Sequence, residues 1–160
     1  MHHHAYLWTG PKQRFDEDGL RRPPHPDPPP AALSGDSERL RLHERYQEVV
    51  VEFPKSGLPP IHTAHWLMKP LTSVLGTWDE PKQAAAWLRE RLTEYSPRFD
   101  STAQRDTTLL AMLVASAAER LAWGGDASLG FYLERPAFLS MALVTCSPNR
   151  SAPNLRCPAR

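Results

Sequence analysis

Apolar residues form one long block in the second half of the chain. Ten successive positions, 109–118, are apolar or small. Ser101 and Gln104 ahead of the block have the spacing of a capping box, and Trp123-Gly-Gly after it is typical of a helix C-terminus. The block falls well short of the ~20 residues that a membrane-spanning helix needs. The pattern therefore predicts a central helix that is buried on all sides in a globular domain.

A second helix is predicted after a strong set of start signals. Thr77 and Glu80 are spaced as a capping box, and Pro81 follows at the first helical position. Apolar residues then recur every three or four positions with polar residues between them, so one face should pack on the domain. The helix should end at Ser96-Pro97. Its apolar positions are Ala84, Leu88, Leu92 and Tyr95.

A third helix is predicted from Asp36-Ser37, where a capping residue precedes apolar residues at helical spacing, up to Pro54. The run Val49-Val-Val also fits a strand, because β-branched residues favour extended backbone. Residues 46–53 are thus either helix or strand, with helix favoured. Residues 61–75 have the pattern of a further helix interrupted at Pro70.

Two apolar segments near the C-terminus, 128–133 and 138–146, flank Glu134-Arg-Pro and predict an antiparallel β-hairpin. Both faces of the second segment are largely apolar or small, so that strand should be well buried. An isolated hairpin is only marginally stable. A third strand near Val49–Phe53 would provide the support that the hairpin needs.

The N-terminal region is expected to be an arm rather than part of the core. Residues 22–30 contain six prolines in nine positions, which favours polyproline II or disorder. Ahead of them an apolar cluster lies on an otherwise polar segment, and it docks either on the domain or on a partner. We predict that this cluster binds a partner. It consists of Tyr6, Leu7, Trp8 and Phe15.

These elements together predict an α+β fold class. We expect a mainly helical domain of three to four helices with a C-terminal antiparallel β-hairpin and a disordered, Pro-rich N-terminal arm. The predicted division is an arm over 1–35, a single globular domain over 36–146 and a flexible tail over 147–160.

Composition restricts the classes of partner. Nineteen basic and eighteen acidic residues give a formal net charge of +1, which argues against nucleic-acid binding through phosphate contacts. No secretory signal or membrane-spanning segment is visible, so a cytoplasmic location without a membrane partner is expected. Frequent Arg, Ala and Pro suggest a GC-rich bacterial genome. Cys146 and Cys157 should be reduced in that compartment, although a disulfide between them is the second option.

Candidate chemistry is sparse. His62 and His65 are three residues apart, which on a helix can place two metal ligands on one face, but no third ligand is indicated. Cys146 could act as a nucleophile with one of these histidines as its base. We prefer the purely structural interpretation, in which the two histidines pack in the fold and the thiol is inert. His2-His-His should bind metal only adventitiously, because a mobile terminus offers no fixed geometry.

No motif identifies a family. We therefore expect a non-enzymatic bacterial cytoplasmic adaptor or regulatory protein-interaction module, with a protein partner, homo-oligomerisation as an option, and neither a cofactor nor a metal site. The alternative is a small metal-assisted or cysteine-dependent enzyme that uses His62, His65 and Cys146, and the sequence leaves enzymatic activity open.

Overall fold

A computed structural model describes residues 1–159. In chain order the strands and helices are β1 (His2–Pro11), α1 (Lys12–Phe15), α2 (Ser37–Lys55), β2 (Gly76–Trp78), α3 (Pro81–Tyr95), α4 (Thr107–Ala122), β3 (Ala127–Tyr132) and β4 (Ala137–Cys146). Short 3-10 helices span Asp18–Leu20, Thr63–Met68, Leu71–Ser73, Ser96–Arg98 and Thr102–Arg105.

The four strands form one antiparallel sheet in the order β2-β1-β4-β3. The N-terminal strand β1 pairs with β4 over ten residues, from His2 opposite Cys146 to Pro11 opposite Ala137. The predicted hairpin is present, since β3 and β4 pair from Ala127 to Tyr132. The two central strands are therefore the first and the last strand in chain order, β1 and β4.

The predicted fold class is wrong in two respects. A four-stranded sheet takes the place of the isolated hairpin, and His2–Pro11 form a central strand instead of part of a disordered arm. The supporting strands are β1 and β2, whereas the segment Val49–Phe53 lies inside α2 and is helical. A central strand buries side chains on both faces of the sheet, so polar residues of β1 can be buried where they find partners.

One face of the sheet is covered by α3 and α4. The core on this side includes Leu88 and Leu92 from α3 and Leu121 from α4, all packed against odd-numbered residues of β4. Phe99, in the connection between the two helices, stacks on Phe131 of β3 with ring centroids 4.2 Å apart. This helix-covered layer is the larger of the two apolar clusters. The odd-numbered β4 residues are Leu139, Met141 and Leu143.

The helix α4 is not the fully buried central helix that the apolar block predicts. It begins at Thr107, after the cap Asp106 whose carboxylate accepts from the Leu109 N–H, and not at the Ser101 box. It ends at Ala122, just before the predicted Trp123-Gly-Gly signal, and Gly124 has a φ of +83° that favours glycine. Only one side packs on the sheet, and Met112 on the other side is 64% exposed.

The opposite face of the sheet is covered by irregular structure. Tyr6 of β1 is fully buried and stacks on Trp66 of the 3-10 helix Thr63–Met68, with ring centroids 4.6 Å apart. Cys157, from the C-terminal segment, packs into the same cluster. The predicted helix over 61–75 is thus two 3-10 helices, separated at Pro70 as its missing N–H predicts.

The segment after β4 is not a loose tail. Asn149 is fully buried, and its amide nitrogen donates to both carboxylate oxygens of Asp126 at 3.0 Å and to the Thr145 carbonyl at 2.7 Å. Its amide oxygen accepts from the backbone N–H groups of Ser151 and Ala152. These bonds fold the C-terminal segment back against the sheet.

The helix α2 confirms the prediction of a helix from Asp36-Ser37. The Asp36 carboxylate accepts from the Arg39 N–H at 3.1 Å, as an N-cap should. Phe53 is the buried residue of this 19-residue helix. At its C-terminal end Lys69 donates from Nζ to the Phe53 and Ser56 carbonyls, which satisfies two acceptors at the helix end. Within residues 1–159, no helix combines the length and apolar character that crossing a membrane requires.

Candidate functional site

One buried cluster brings together residues from the two ends of the chain. His4 lies on β1, Cys146 ends β4, and Cys157 belongs to the C-terminal segment. Nε2 of His4 is 3.1 Å from Sγ of Cys146 and 3.3 Å from Sγ of Cys157. One ligand atom from each of the three residues lies within 4.8 Å of the others, and all three residues are buried.

The sheet fixes how His4 enters this cluster. Even-numbered residues of β1 face the layer that contains Trp66 and Cys157, because successive side chains in a strand alternate between faces. Nδ1 of His4 is 2.8 Å from Oγ1 of Thr77, which is its partner on β2 in the strand register. The Thr77 hydroxyl therefore holds the ring so that Nε2 points at the two thiols.

His2 has a related arrangement at the edge of the cluster. It lies opposite Cys146 in the β1–β4 register, and its ring centroid is 5.9 Å from that of His4. Nδ1 of His2 is 3.2 Å from a carboxylate oxygen of Asp79. Nε2 of His2 is buried and finds no hydrogen-bond partner among the described atoms. His3 points to the helix-covered face, where its Nδ1 meets the Thr145 hydroxyl at 2.9 Å.

Burial sets the protonation of these groups. Desolvation lowers the pKa of His4 to about 4, so its imidazole is neutral at physiological pH. Burial raises the pKa of Cys146 to about 12, with the neighbouring Cys157 thiol acting in the same direction. Without a bound cation, Cys146 is a neutral thiol and a poor nucleophile. Both cysteines are free thiols in the structure.

The three residues of the alternative enzyme hypothesis are not brought together. His62 is exposed and His65 is half-buried, and their rings meet edge to face with centroids 5.4 Å apart. Cys146 instead clusters with His4 and Cys157, and this is the one group of metal-ligating side chains found over residues 1–159. Among the described residues, the imidazole nitrogen in contact with Sγ of Cys146 is Nε2 of His4, which burial makes a poor base.

The four residues predicted to bind a partner lie within the folded chain. Tyr6 is inside the core and Leu7 packs against the helix-covered cluster. Trp8 and Phe15 are half-buried, and their ring centroids are 6.1 Å apart. Phe15 also contacts Phe138 of β4, with ring centroids 4.5 Å apart. Partner binding by this set stays a prediction, and Tyr6 offers no ring surface to a partner.

A regular uncharged surface lies on α4. Six exposed residues on the side away from the sheet, called here the outer α4 face, carry no charge. No charged residue occurs between Asp106 and Glu119, which is about three helical turns. Trp123, 57% exposed, continues this surface beyond the helix, with the Arg150 guanidinium 4.7 Å from its ring centroid. The face consists of Thr108, Leu109, Ala111, Met112, Ala115 and Ser116.

Sequence reasoning missed His4 and Cys157. A polar triplet at residues 2–4 resembles a mobile terminus, and Cys157 lies among Pro, Asn and Arg residues that are typical of a tail. The available signal was the alternation after His4, in which Ala5 and Leu7 share one face and Tyr6 and Trp8 the other. No protein-family model, curated protein or solved structure matches this chain.

Proposed function

We propose that this chain is a non-enzymatic protein-interaction module and that the outer α4 face is its docking surface. The observation that carries the proposal is the uncharged, exposed side of α4 over residues 107–118. Solvent-facing sides of surface helices normally carry charged residues, as α3 does with Arg89, Glu90 and Glu94. A contiguous apolar patch on a folded chain marks an interaction surface.

The occupant we propose is α4 of a second copy, packed antiparallel. Small residues such as Ala111 and Ala115 allow two helix backbones to approach closely, and Met112 supplies a ridge between them. An antiparallel pair brings Asp106 at one end of the helix beside Arg120 at the end of its partner. Both side chains are exposed, so this pair is free to form. A parallel pair would instead place the Asp106 carboxylates of the two copies together.

The same arrangement suits a two-fold symmetric contact, in which both copies contribute the same patch. The uncharged centre of the face means that no charge loses its water when the surfaces meet, which avoids a cost of several kcal/mol per ion. The two free, buried thiols support a reducing cytoplasmic setting for the module. The proposed module is thus still an adaptor, with its docking surface on α4 instead of on the N-terminal residues.

Sedimentation equilibrium on the full chain over a wide concentration range tests the proposal. The unaltered chain should fit a monomer–dimer equilibrium. Met112→Asp places a carboxylate in the centre of the outer α4 face and should weaken association by at least about a hundredfold, since one buried unpaired charge costs several kcal/mol. Met112 is 64% exposed in the single chain, so the variant should still fold.

The matched control is Leu42→Asp, because Leu42 is a similarly exposed apolar residue, at 56%, on the separate helix α2. This variant should dimerise like the unaltered chain. Arg120→Glu should weaken the dimer through repulsion from Asp106 of the other copy. A chain that is monomeric at every concentration, or a dimer that Leu42→Asp disrupts and Met112→Asp spares, contradicts the proposal.

A further inference from the structure

The cluster of His4, Cys146 and Cys157 has the spacing of a metal centre. In a tetrahedral zinc site, Zn–S bonds of about 2.3 Å and Zn–N bonds of about 2.0–2.1 Å place neighbouring N and S atoms roughly 3.5 Å apart. The observed distances from Nε2 of His4 to the two sulfur atoms are 3.1 and 3.3 Å. These distances are a few tenths of an ångström below the tetrahedral value, a difference that small side-chain rotations would cover.

Hydrogen bonding alone leaves this cluster poorly satisfied. With its proton on Nδ1, toward Thr77, His4 has one lone pair at Nε2 facing two thiols. One lone pair accepts from one thiol, and the other thiol has only the neighbouring sulfur atom as its acceptor, which is a weak one. The Tyr6 hydroxyl, which belongs to the same apolar cluster, is buried with no hydrogen-bond partner among residues 1–159. A cation would use all three ligand atoms at once.

His2 is the candidate for the fourth ligand of a closed site, although its ring nitrogens are not among the ligand atoms that lie within 4.8 Å of one another, so its ring would have to move toward the cluster. Its ring lies on the same face of β1 as His4, and its Cα faces that of Cys146 across the strands. The Nδ1 atoms of His2 and His4 both meet oxygen atoms of the β2 region, from Asp79 and Thr77. Oxygen partners at Nδ1 are the usual way in which proteins orient imidazoles that bind metal through Nε2.

We propose that His4, Cys146 and Cys157, completed by His2, bind one Zn²⁺ ion in a structural site. Two thiolates and two imidazoles form a borderline-soft ligand set that suits Zn²⁺ and disfavours Mg²⁺ and Ca²⁺, which prefer oxygen. On binding, each cysteine forms a Zn–S bond and releases its S–H proton to solvent. No electron is transferred, so the step needs no oxidant or reductant.

A closed and buried site of this kind is structural and not catalytic. Its ligands come from β1, β4 and the C-terminal segment, which carries Cys157. The ion would therefore join the first strand to the last one and clamp residues 147–159 against the sheet. This role is separate from docking at the outer α4 face, which lies beyond the other side of the sheet.

The test uses the full chain, reduced and stripped of metal with a chelator. Titration with Co²⁺, a spectroscopic substitute for Zn²⁺, should give thiolate-to-cobalt charge-transfer absorption that saturates at one ion per chain, and Zn²⁺ should displace it. Cys157→Ser should remove this absorption or weaken binding by more than about a hundredfold. The matched control, His62→Ala combined with His65→Ala, removes the other histidine pair and should bind like the unaltered chain.

Thr77→Val separates a metal site from an ordinary packed cluster. Thr77 is exposed and touches neither cysteine, and loss of such an orienting partner typically lowers metal affinity by about 10–100-fold. His2→Ala should lower it as well, whereas His3→Ala, on the other face, should retain it. Zn²⁺ should also slow amide hydrogen exchange over residues 147–159 in the unaltered chain.

Several results would overturn the proposal. These are an absence of saturable binding, binding that survives replacement of both cysteines by serine, and equal binding by Thr77→Val and the unaltered chain. A Cys146–Cys157 disulfide that persists under reducing conditions would do so too, because the sulfur atoms could not then be ligands. Dimerisation through α4 is expected in both the zinc-free and zinc-bound chain, so the two proposals fail independently.

Discussion

Replacement of Asn149 by alanine tests whether the C-terminal segment is part of the fold. The Asn149 side chain bonds to Asp126, to the Thr145 carbonyl and to the N–H groups of Ser151 and Ala152. Its truncation removes all of these bonds together. It also leaves the half-buried Asp126 carboxylate with only the Thr145 N–H as a donor.

The magnitude follows from the number and kind of these bonds. An intramolecular hydrogen bond contributes about 1 kcal/mol net, and a bond to a charged group about 1.5–3 kcal/mol. The contributions are not additive, so we expect a loss of about 3 kcal/mol in the free energy of unfolding. For a domain of this size that corresponds to a fall in Tm of roughly 6–12 °C.

Urea and thermal unfolding of Asn149→Ala provide the measurement, and Asn154→Ala is the matched control. Asn154 is an exposed asparagine in the same segment and should change stability by less than about 0.5 kcal/mol. The reasoning is refuted if the two variants are equally stable. Asn149→Asp is a second check, because its carboxylate would face Asp126 and its deficit in stability should shrink as acid protonates the pair.

Three further predictions follow from the sheet and its second face. Deletion of residues 1–11 should abolish the cooperative thermal transition seen by circular dichroism, because it removes a central strand, and a deletion that shifts Tm by less than about 2 °C would show that β1 is dispensable. Tyr6→Phe should leave the zinc-free chain as stable as before or more stable by up to about 1 kcal/mol, since the buried hydroxyl finds no partner in the described structure. A clear loss in the free energy of unfolding, measured with urea, would contradict this assignment. Burial lowers the pKa of Lys69 to about 8 from its ordinary value of 10.5, so between these pH values the unfolded chain binds more protons than the folded chain. The free energy of unfolding, measured relative to that of Lys69→Met, should therefore rise with pH over this range. A difference that stays flat or falls would contradict the assigned direction of the pKa shift.

Local sequence patterns predict the elements that local interactions determine. Asp36 caps α2, Pro81 begins α3 and Gly124 ends α4, and each of these depends on residues within one turn of the helix. The hairpin of β3 and β4 is also local. The Thr77 to Glu80 box fails because Thr77 is taken into the sheet, where its hydroxyl meets His4. A long-range contact has outweighed a local preference.

The errors concern features that depend on residues far apart in sequence. His3 and His4 are buried because Thr145 and Thr77, 142 and 73 positions away, provide partners for their rings. Nothing within a few residues of them indicates that burial. The cluster with Cys146 and Cys157 likewise has no fixed spacing that would mark it as a metal motif. The sequence did not identify the outer α4 face as exposed. A helix that is apolar on all sides can be buried by its own chain or by a partner, and its composition is the same in both cases.

Site-specific cross-linking tests the central claim, an antiparallel α4 pair, most directly. Thr108→Cys and Glu119→Cys lie eleven residues apart on the exposed side of α4, about 16 Å along the helix axis. In an antiparallel pair, position 108 of one copy faces position 119 of the other. Each variant alone should then cross-link weakly under mild oxidation, and an equal mixture of the two should form disulfide dimers readily. The unaltered chain, whose two cysteines are buried, gives the background. Efficient cross-linking of each variant with itself, or none above background in the mixture, would contradict the account.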